Sequence, residues 1–284
     1  MLVTMKEALM KANKGNYAIP ALVVQTEADV RSCIRAAEEE NAPVILLVPY
    51  PMFQYNVDLF GRYIAELAKS ASVPVVICHD HGPDFKTALE CLKANFSAIM
   101  VDRSSLPFED NIEQVSELTK IAHTLGVSVE AELGHVGFAA NYDHDSAEEF
   151  LTNPASAKEF IDRTGCDCLA VAIGTAHGAY NKGQRPHLDF DRLAEIRKAV
   201  GEDFPLVLHG GSGTGDEQLG KAAHSGIAKI NIGQELYQSA FESVKEHYKQ
   251  GNDAYSFANF VSNGVMSVAK HYLELFGAKD QAWK

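Results

Sequence analysis

The stretch Val73-Pro74-Val75-Val76-Ile77-Cys78-His79-Asp80-His81-Gly82 decides the fold. Its first half is a continuous apolar run rich in β-branched residues, the pattern of a strand buried on both faces as in an all-parallel sheet. The run ends abruptly in three adjacent titratable side chains and a glycine. Such groups at the end of a buried strand cost desolvation free energy unless a metal or hydrogen bonds hold them, so the cluster marks a candidate site.

Working outward, the same unit recurs. Before it, the pattern predicts a helix over 4–13, a strand over 17–24, a helix over 27–40, a strand over 44–48 bounded by Pro43 and Pro49, and a helix over 55–70. After it come a helix over 85–94, a strand over 98–101, a helix over 111–125 and a strand over 127–132. A long polar loop follows. Asn153-Pro154 then has the form of an N-cap with proline at the first helical position, opening a helix to Thr164. A strand over 168–173, a helix over 190–200, a strand over 206–208, a helix over 216–225 and a strand over 229–232 complete the alternation, and helices over 235–249 and 257–276 close the chain. Eight short apolar strands, each followed by a helix, predict an α/β fold: a (β/α)8 TIM barrel, one domain over 1–284 with additional C-terminal helices. A doubly wound open sheet is the alternative. Polar residues cluster at the C-terminal ends of several different strands, and only a closed barrel brings those ends to one mouth.

The 284 residues are 46% hydrophobic and 22% charged, the balance of a globular protein. A formal net charge of -13 without any basic stripe argues against a nucleic-acid partner. The five cysteines are odd in number and form no CxxC pair, which disfavours a disulfide framework or zinc ribbon and favours reduced thiols. No basic-then-apolar leader opens the sequence and no apolar run reaches membrane-spanning length, so the expectation is a cytoplasmic protein without a membrane partner.

At the predicted mouth stand Asp80 and His81 from strand three, Asp102 from strand four, Glu130 and Glu132 from strand five, and Gly174-Thr175-Ala176-His177-Gly178 from strand six. Strand seven adds His209-Gly210-Gly211-Ser212-Gly213 and strand eight Asn231. A lone histidine is most often a hydrogen-bonded structural residue. Three at three strand ends, with a fourth position open, are the ligand count of a catalytic zinc site. The glycines let backbone N–H groups approach an anion, and phosphate sites on the late loops are frequent in this fold. The segment from His209 to Gly213 alone reads equally well as a tight turn.

Taken together, Asp80-His81, Val129-Glu130-Ala131-Glu132-Leu133-Gly134, Gly174 to Tyr180, Leu206 to Gly213 and Lys229-Ile230-Asn231 resemble the class II, zinc-dependent fructose- and tagatose-bisphosphate aldolases. The likeness extends over nearly the whole chain. It implies reversible retro-aldol cleavage of a ketose phosphate to dihydroxyacetone phosphate and an aldehyde. It further implies that His81, His177 and His209 bind Zn2+ and that Asp80 is the general acid/base. Glu132 and Asp102 would lie behind the ligands or at a second divalent position, and Glu130 would be structural. Asn231 would contact the enediolate, while Gly178, Gly210, Gly211, Ser212, Gly233 and Gln234 would form the phosphate site. A monovalent cation near the strand-six and strand-seven loops and a homodimer or homotetramer are also implied. A metal-dependent sugar-phosphate epimerase or isomerase, and a sugar-phosphate-binding homologue without turnover, are the alternatives.

The chain departs from that family's pattern in several places. The asparagine-rich end of strand one is Leu22-Val23-Val24-Gln25, the small turn after strand two is Pro49-Tyr50-Pro51, and Phe257 to Asn263 lack the arginine offered to a neighbouring subunit's substrate. All three losses concern the distal phosphate, which points to an unphosphorylated aldehyde half with Tyr50 lining its pocket. The loop after strand five lacks the family's acidic pair, leaving Asp143, Asp145 and Asp80 as candidates to move a C1 proton. Cys78 replaces a family histidine, and the added His79 reads as a pocket residue or as one packed beneath the loop.

Overall fold

The computed structural model describes residues 1–49, 56–137, 150–178, 180 and 185–284. Tyr50, Asp143 and Asp145 lie outside the described residues. In chain order the elements are α1 (Met5–Gly15), β1 (Ile19–Val23), α2 (Glu27–Glu39), β2 (Val44–Pro49), α3 (Val57–Ser70), β3 (Val75–Gly82), α4 (Phe85–Lys93), β4 (Ala98–Val101) and α5 (Phe108–Thr124). They continue with β5 (Ser128–Leu133), α6 (Pro154–Thr164), β6 (Cys168–Val171), α7 (Phe190–Val200), β7 (Leu206–Leu208), α8 (Asp216–Ala223), β8 (Ile227–Ile232), α9 (Gln234–His247) and α10 (Ala254–Leu275).

The eight strands pair in parallel as a closed barrel in sequence order, and β1 returns to β8 through Ile19↔Lys229 to Leu22↔Ile232. Every residue of β4, β5, β6, β7 and β8 is buried. Helices cover the outside of the sheet, and side chains fill the inside, which is why the strands read as unbroken apolar runs. All five cysteines are buried and free. Among the described residues no helix is long and apolar enough to cross a membrane.

Local signals set the boundaries. Asn153 Oδ1 accepts from the N–H groups of Ala155 and Ser156, with Pro154 opening α6. Helix α10 starts three residues before the expected Phe257 because Asp253 caps it, its carboxylate accepting from Ser256 N–H at 2.8 Å. Strand β8 starts two residues before Lys229, since that lysine is an interior residue of the strand and not its beginning.

Candidate metal centre at the barrel mouth

In a regular strand, adjacent side chains face opposite sides. Asp80 and His81 are adjacent, yet both reach the mouth. A one-residue bulge allows this: β3 pairs β4 at His79↔Ile99 and next at Gly82↔Val101. His81 itself takes a left-handed backbone with φ 49°, a conformation that costs a non-glycine residue free energy and collects at functional sites. Arg103, almost fully buried, ties the two strand ends together by donating to the carbonyls of Gly82 at 2.7 Å and Asp102 at 2.6 Å.

His81 Nδ1 lies 2.7 Å from Asp102 Oδ2. The carboxylate only accepts, which assigns the proton to Nδ1. Asp102 also accepts from Ser104, through its N–H at 3.1 Å and its hydroxyl at 2.8 Å. His81 Nε2 is left buried without a hydrogen-bond partner. His209, one residue beyond β7, repeats the arrangement with its nitrogens exchanged. Its Nε2 donates to Glu130 Oε1 at 2.8 Å, while Nδ1 stands 3.1 Å from Glu132 Oε2, close but too poorly aligned to form a hydrogen bond. His177, in the loop after β6, brings its ring centroid 4.6 Å from that of His81 and 5.8 Å from that of His209. Its backbone N–H is held by Gly137 O at 2.7 Å.

The ligand atoms of His81, His177 and His209 all lie within 4.8 Å of one another, as do those of His81, Asp102 and Glu132. Two nitrogens bound to one zinc ion stand at most about 4.2 Å apart, so the first set needs little movement to close on a metal. Buried candidate ligand atoms without a hydrogen-bond partner, His81 Nε2, His209 Nδ1 and Glu132 Oε2, are what such a site requires.

Charge follows the same geometry. Burial opposes an imidazolium at His81, but Asp80 and the hydrogen-bonded Asp102 outweigh it and raise the pKa to about 9. Burial and the neighbouring His81 and His209 push His177 down to about 2. Burial also opposes charge on His209, yet Glu130 and Glu132 raise it. Partial burial opposes charge on Asp102 as well, but His81 and Ser104 hold it well below the usual carboxylate range. A proton on His81 competes with a metal, so the zinc affinity of the metal-free protein is expected to climb between the free-imidazole value of about 6.5 and about 9. Chelator competition across that range measures it. A flat profile would contradict the proton at His81.

Beneath the histidines lies a second polar layer. Glu130 and Glu132 share one face of β5, and Lys229 and Asn231 share one face of β8, each pair two residues apart. Lys229 Nζ is 2.9 Å from Glu130 and 2.7 Å from Asn231 Oδ1, and neither Lys229 nor Glu130 is exposed at all. Burial would raise Glu130, but Lys229 and His209 hold it at about 2. Glu130, expected to be structural, thus stands behind His209, one of the three convergent imidazoles. Asn231 Nδ2 lies 3.4 Å from Asp80 Oδ1.

Of the residues expected to cradle phosphate, Gly210, Gly211 and Ser212 follow β7, Gly233 and Gln234 follow β8, and Gly178 lies in the loop after β6. Gly210 has φ 66°, and a Cβ there would stand 2.5 Å from the Ala176 carbonyl oxygen, so only glycine fits. The N–H of Gly211 donates to Asn231 O, and that of Gly233 donates to Ser212 Oγ, both at 3.1 Å. These two bonds tie the ends of β7 and β8 together and leave the Ser212 hydroxyl its proton to donate. Gly178 and Gln234 are exposed at the mouth. Glu235, which the sequence did not single out, accepts from Gly213 N–H at 2.8 Å.

His79 is fully buried beside Gly82, and burial together with His81 pushes it down to about 3, so the ring is neutral. His135, the second residue beyond β5, was also not foreseen; its Nδ1 lies 3.1 Å from Ser104 Oγ and so connects through Asp102 to His81.

With this geometry in view, the chain can be compared with known proteins. The profile of the family described as fructose-bisphosphate aldolase class-II matches residues 3–281. The fructose-bisphosphate aldolase of Thermus caldophilus is 35% identical over 307 aligned positions, spanning 99% of this chain and all of that protein. The Escherichia coli (strain K12) protein YdjI is 37% identical over 272 positions, 95% of this chain and 96% of that one. The crystal structure of the YdjI aldolase covers both chains completely, with TM-score 0.89 and 34% identity. The barrel, the three convergent imidazoles and a match over nearly the full length agree, and the chain belongs to the class II fructose-bisphosphate aldolase family of carbon-carbon lyases.

Proposed function

We propose that the protein is a zinc-dependent aldolase that cleaves a ketose 1-phosphate to dihydroxyacetone phosphate and an aldehyde carrying no phosphate of its own. The observation that carries the metal half of this proposal is the set of buried ligand atoms without a hydrogen-bond partner, His81 Nε2, His209 Nδ1 and Glu132 Oε2, gathered with His177 at one mouth. Imidazole suits Zn2+, and His81, His177 and His209 are the residues that would hold it. When bound, the ion supplies a Lewis acid toward the ketose carbonyl, stabilising negative charge that develops as the C3–C4 bond breaks.

The chain's own side chains supply the rest. Asp80 takes the proton of the C4 hydroxyl in cleavage and returns it in condensation. Asn231 turns its amide nitrogen toward Asp80 and the mouth, where it donates to developing oxyanion charge. Ser212 and the exposed Gln234, at the N-terminus of the 14-residue helix α9, favour the C1 phosphate, because unsatisfied N–H groups and the helix dipole there attract an anion.

What limits the substrate is the other end of the sugar. Pro49 is paired in register with Asp80, and Val23 and Val24 stand at the end of β1, so these described positions on that side of the mouth bring no side-chain donor. Each charge-assisted hydrogen bond missing from a buried phosphate costs about 1.5–3 kcal/mol. A preference in kcat/KM of about tenfold or more for ketose 1-phosphates over ketose 1,6-bisphosphates is therefore expected. Release of dihydroxyacetone phosphate from fructose and tagatose 1-phosphates and both 1,6-bisphosphates, with and without chelator, tests both halves. Bisphosphate preference would overturn the substrate class, and release that a chelator leaves untouched would overturn the metal.

A further inference from the structure

The buried cation beneath the centre has no part in the chemistry above. Lys229 is fully buried in β8, and a lysine there carries a desolvation cost that only good partners offset. It has two. Its Nζ reaches both oxygens of Glu130 at 2.9 Å, and Glu130 Oε1 accepts from His209 Nε2 at 2.8 Å. The same Nζ donates to Asn231 Oδ1 at 2.7 Å. An amide can lie either way round, and with its oxygen engaged from below, its Nδ2 must face Asp80 and the mouth. Reversed, the amide would set its oxygen against the Asp80 carboxylate.

We infer that Lys229 is a positioning residue with two arms: through Glu130 it fixes the face that His209 turns to the metal, and through Asn231 it fixes the donor that faces Asp80 and the substrate. The inference rests on the metal-centre reading above. Removing Lys229 alone would strand a buried carboxylate and endanger folding, so the test replaces both charges at once, a change that buried ion pairs often tolerate. In the Glu130→Gln, Lys229→Met double variant, the glutamine oxygen still accepts from His209 Nε2, but the lysine's hold on Asn231 Oδ1 is gone. In Glu130→Leu, Lys229→Met, both arms are gone.

Zinc affinity is read by chelator competition, turnover by steady-state kinetics with zinc in excess, and folding by thermal unfolding. The first double variant is expected to bind zinc within about threefold of the unaltered protein, yet to lose roughly 10–100-fold in kcat with a smaller change in KM, because a reacting-site donor has lost its orientation. The second is expected to bind zinc about 10–100-fold more weakly than the first, the usual cost of removing a group that orients a histidine ligand. Equal zinc affinity in the two, or unaltered kcat in the first, would overturn the inference. Should the second fail to fold, the kcat of the first decides alone. Absence of zinc binding by the unaltered protein would instead remove the metal-centre reading beneath it.

Discussion

Replacing His81 by Ala is expected to abolish zinc retention at neutral pH and to reduce turnover to that of the chelator-treated protein. Removing a partner that merely orients a ligand costs about 10–100-fold in metal affinity, and removing the ligand itself must cost more. His81 is also the ring on which the others converge, since its centroid lies 4.6 Å from that of His177 and 4.8 Å from that of His209. The loss also leaves Asp102 without the ring it bonds at 2.7 Å. Metal content of the purified variant by elemental analysis, against the unaltered protein, is the measurement. Full zinc occupancy in His81→Ala would overturn the ligand set.

Replacing Asp80 by Asn separates chemistry from metal binding. The side chain sits beside the candidate ligand His81, accepts from Asn231 Nδ2 at 3.4 Å, and belongs to neither group of candidate ligands. A positioned acid/base contributes about 10²–10⁴-fold, so kcat is expected to fall by that factor while zinc content stays near that of the unaltered protein. The asparagine keeps the shape and removes only the ability to take the proton. Retained turnover would move the acid/base role elsewhere, and loss of zinc would make Asp80 part of the metal's surroundings. A sugar-phosphate-binding homologue would show little change in either quantity.

Much of the barrel was legible because its strands are buried on both faces. Such strands carry short apolar runs, and Ala98 to Val101 and Leu206 to Leu208 are found where those runs predicted them. Polar residues at the ends of the runs then located the mouth. The bulge that brings adjacent Asp80 and His81 to one side was not legible, since no residue type in Cys78-His79-Asp80-His81 demands a left-handed backbone. Lys229 was missed for a different reason: lysine in isolation reads as solvent-facing, and only the two-residue spacing to Asn231, matched by Glu130 and Glu132 on β5, signals an inward face. Arg103 and Ser104 lie in the loop next to Asp102, where periodicity carries no information.

The order in which the barrel closes has a consequence for how the protein acquires activity. The contact from Asp80 to Asn231 spans 151 positions of chain, that from Glu130 to Lys229 spans 99, and that from His209 to Glu130 spans 79. None of these can form in a nascent or partly folded chain until its distant strands have met, and contacts of such separation are late and slow because loop closure must precede them. On the proposed metal-centre reading, zinc uptake thus reports that β3, β5, β7 and β8 have come together: during refolding, helical signal should return first and zinc uptake last.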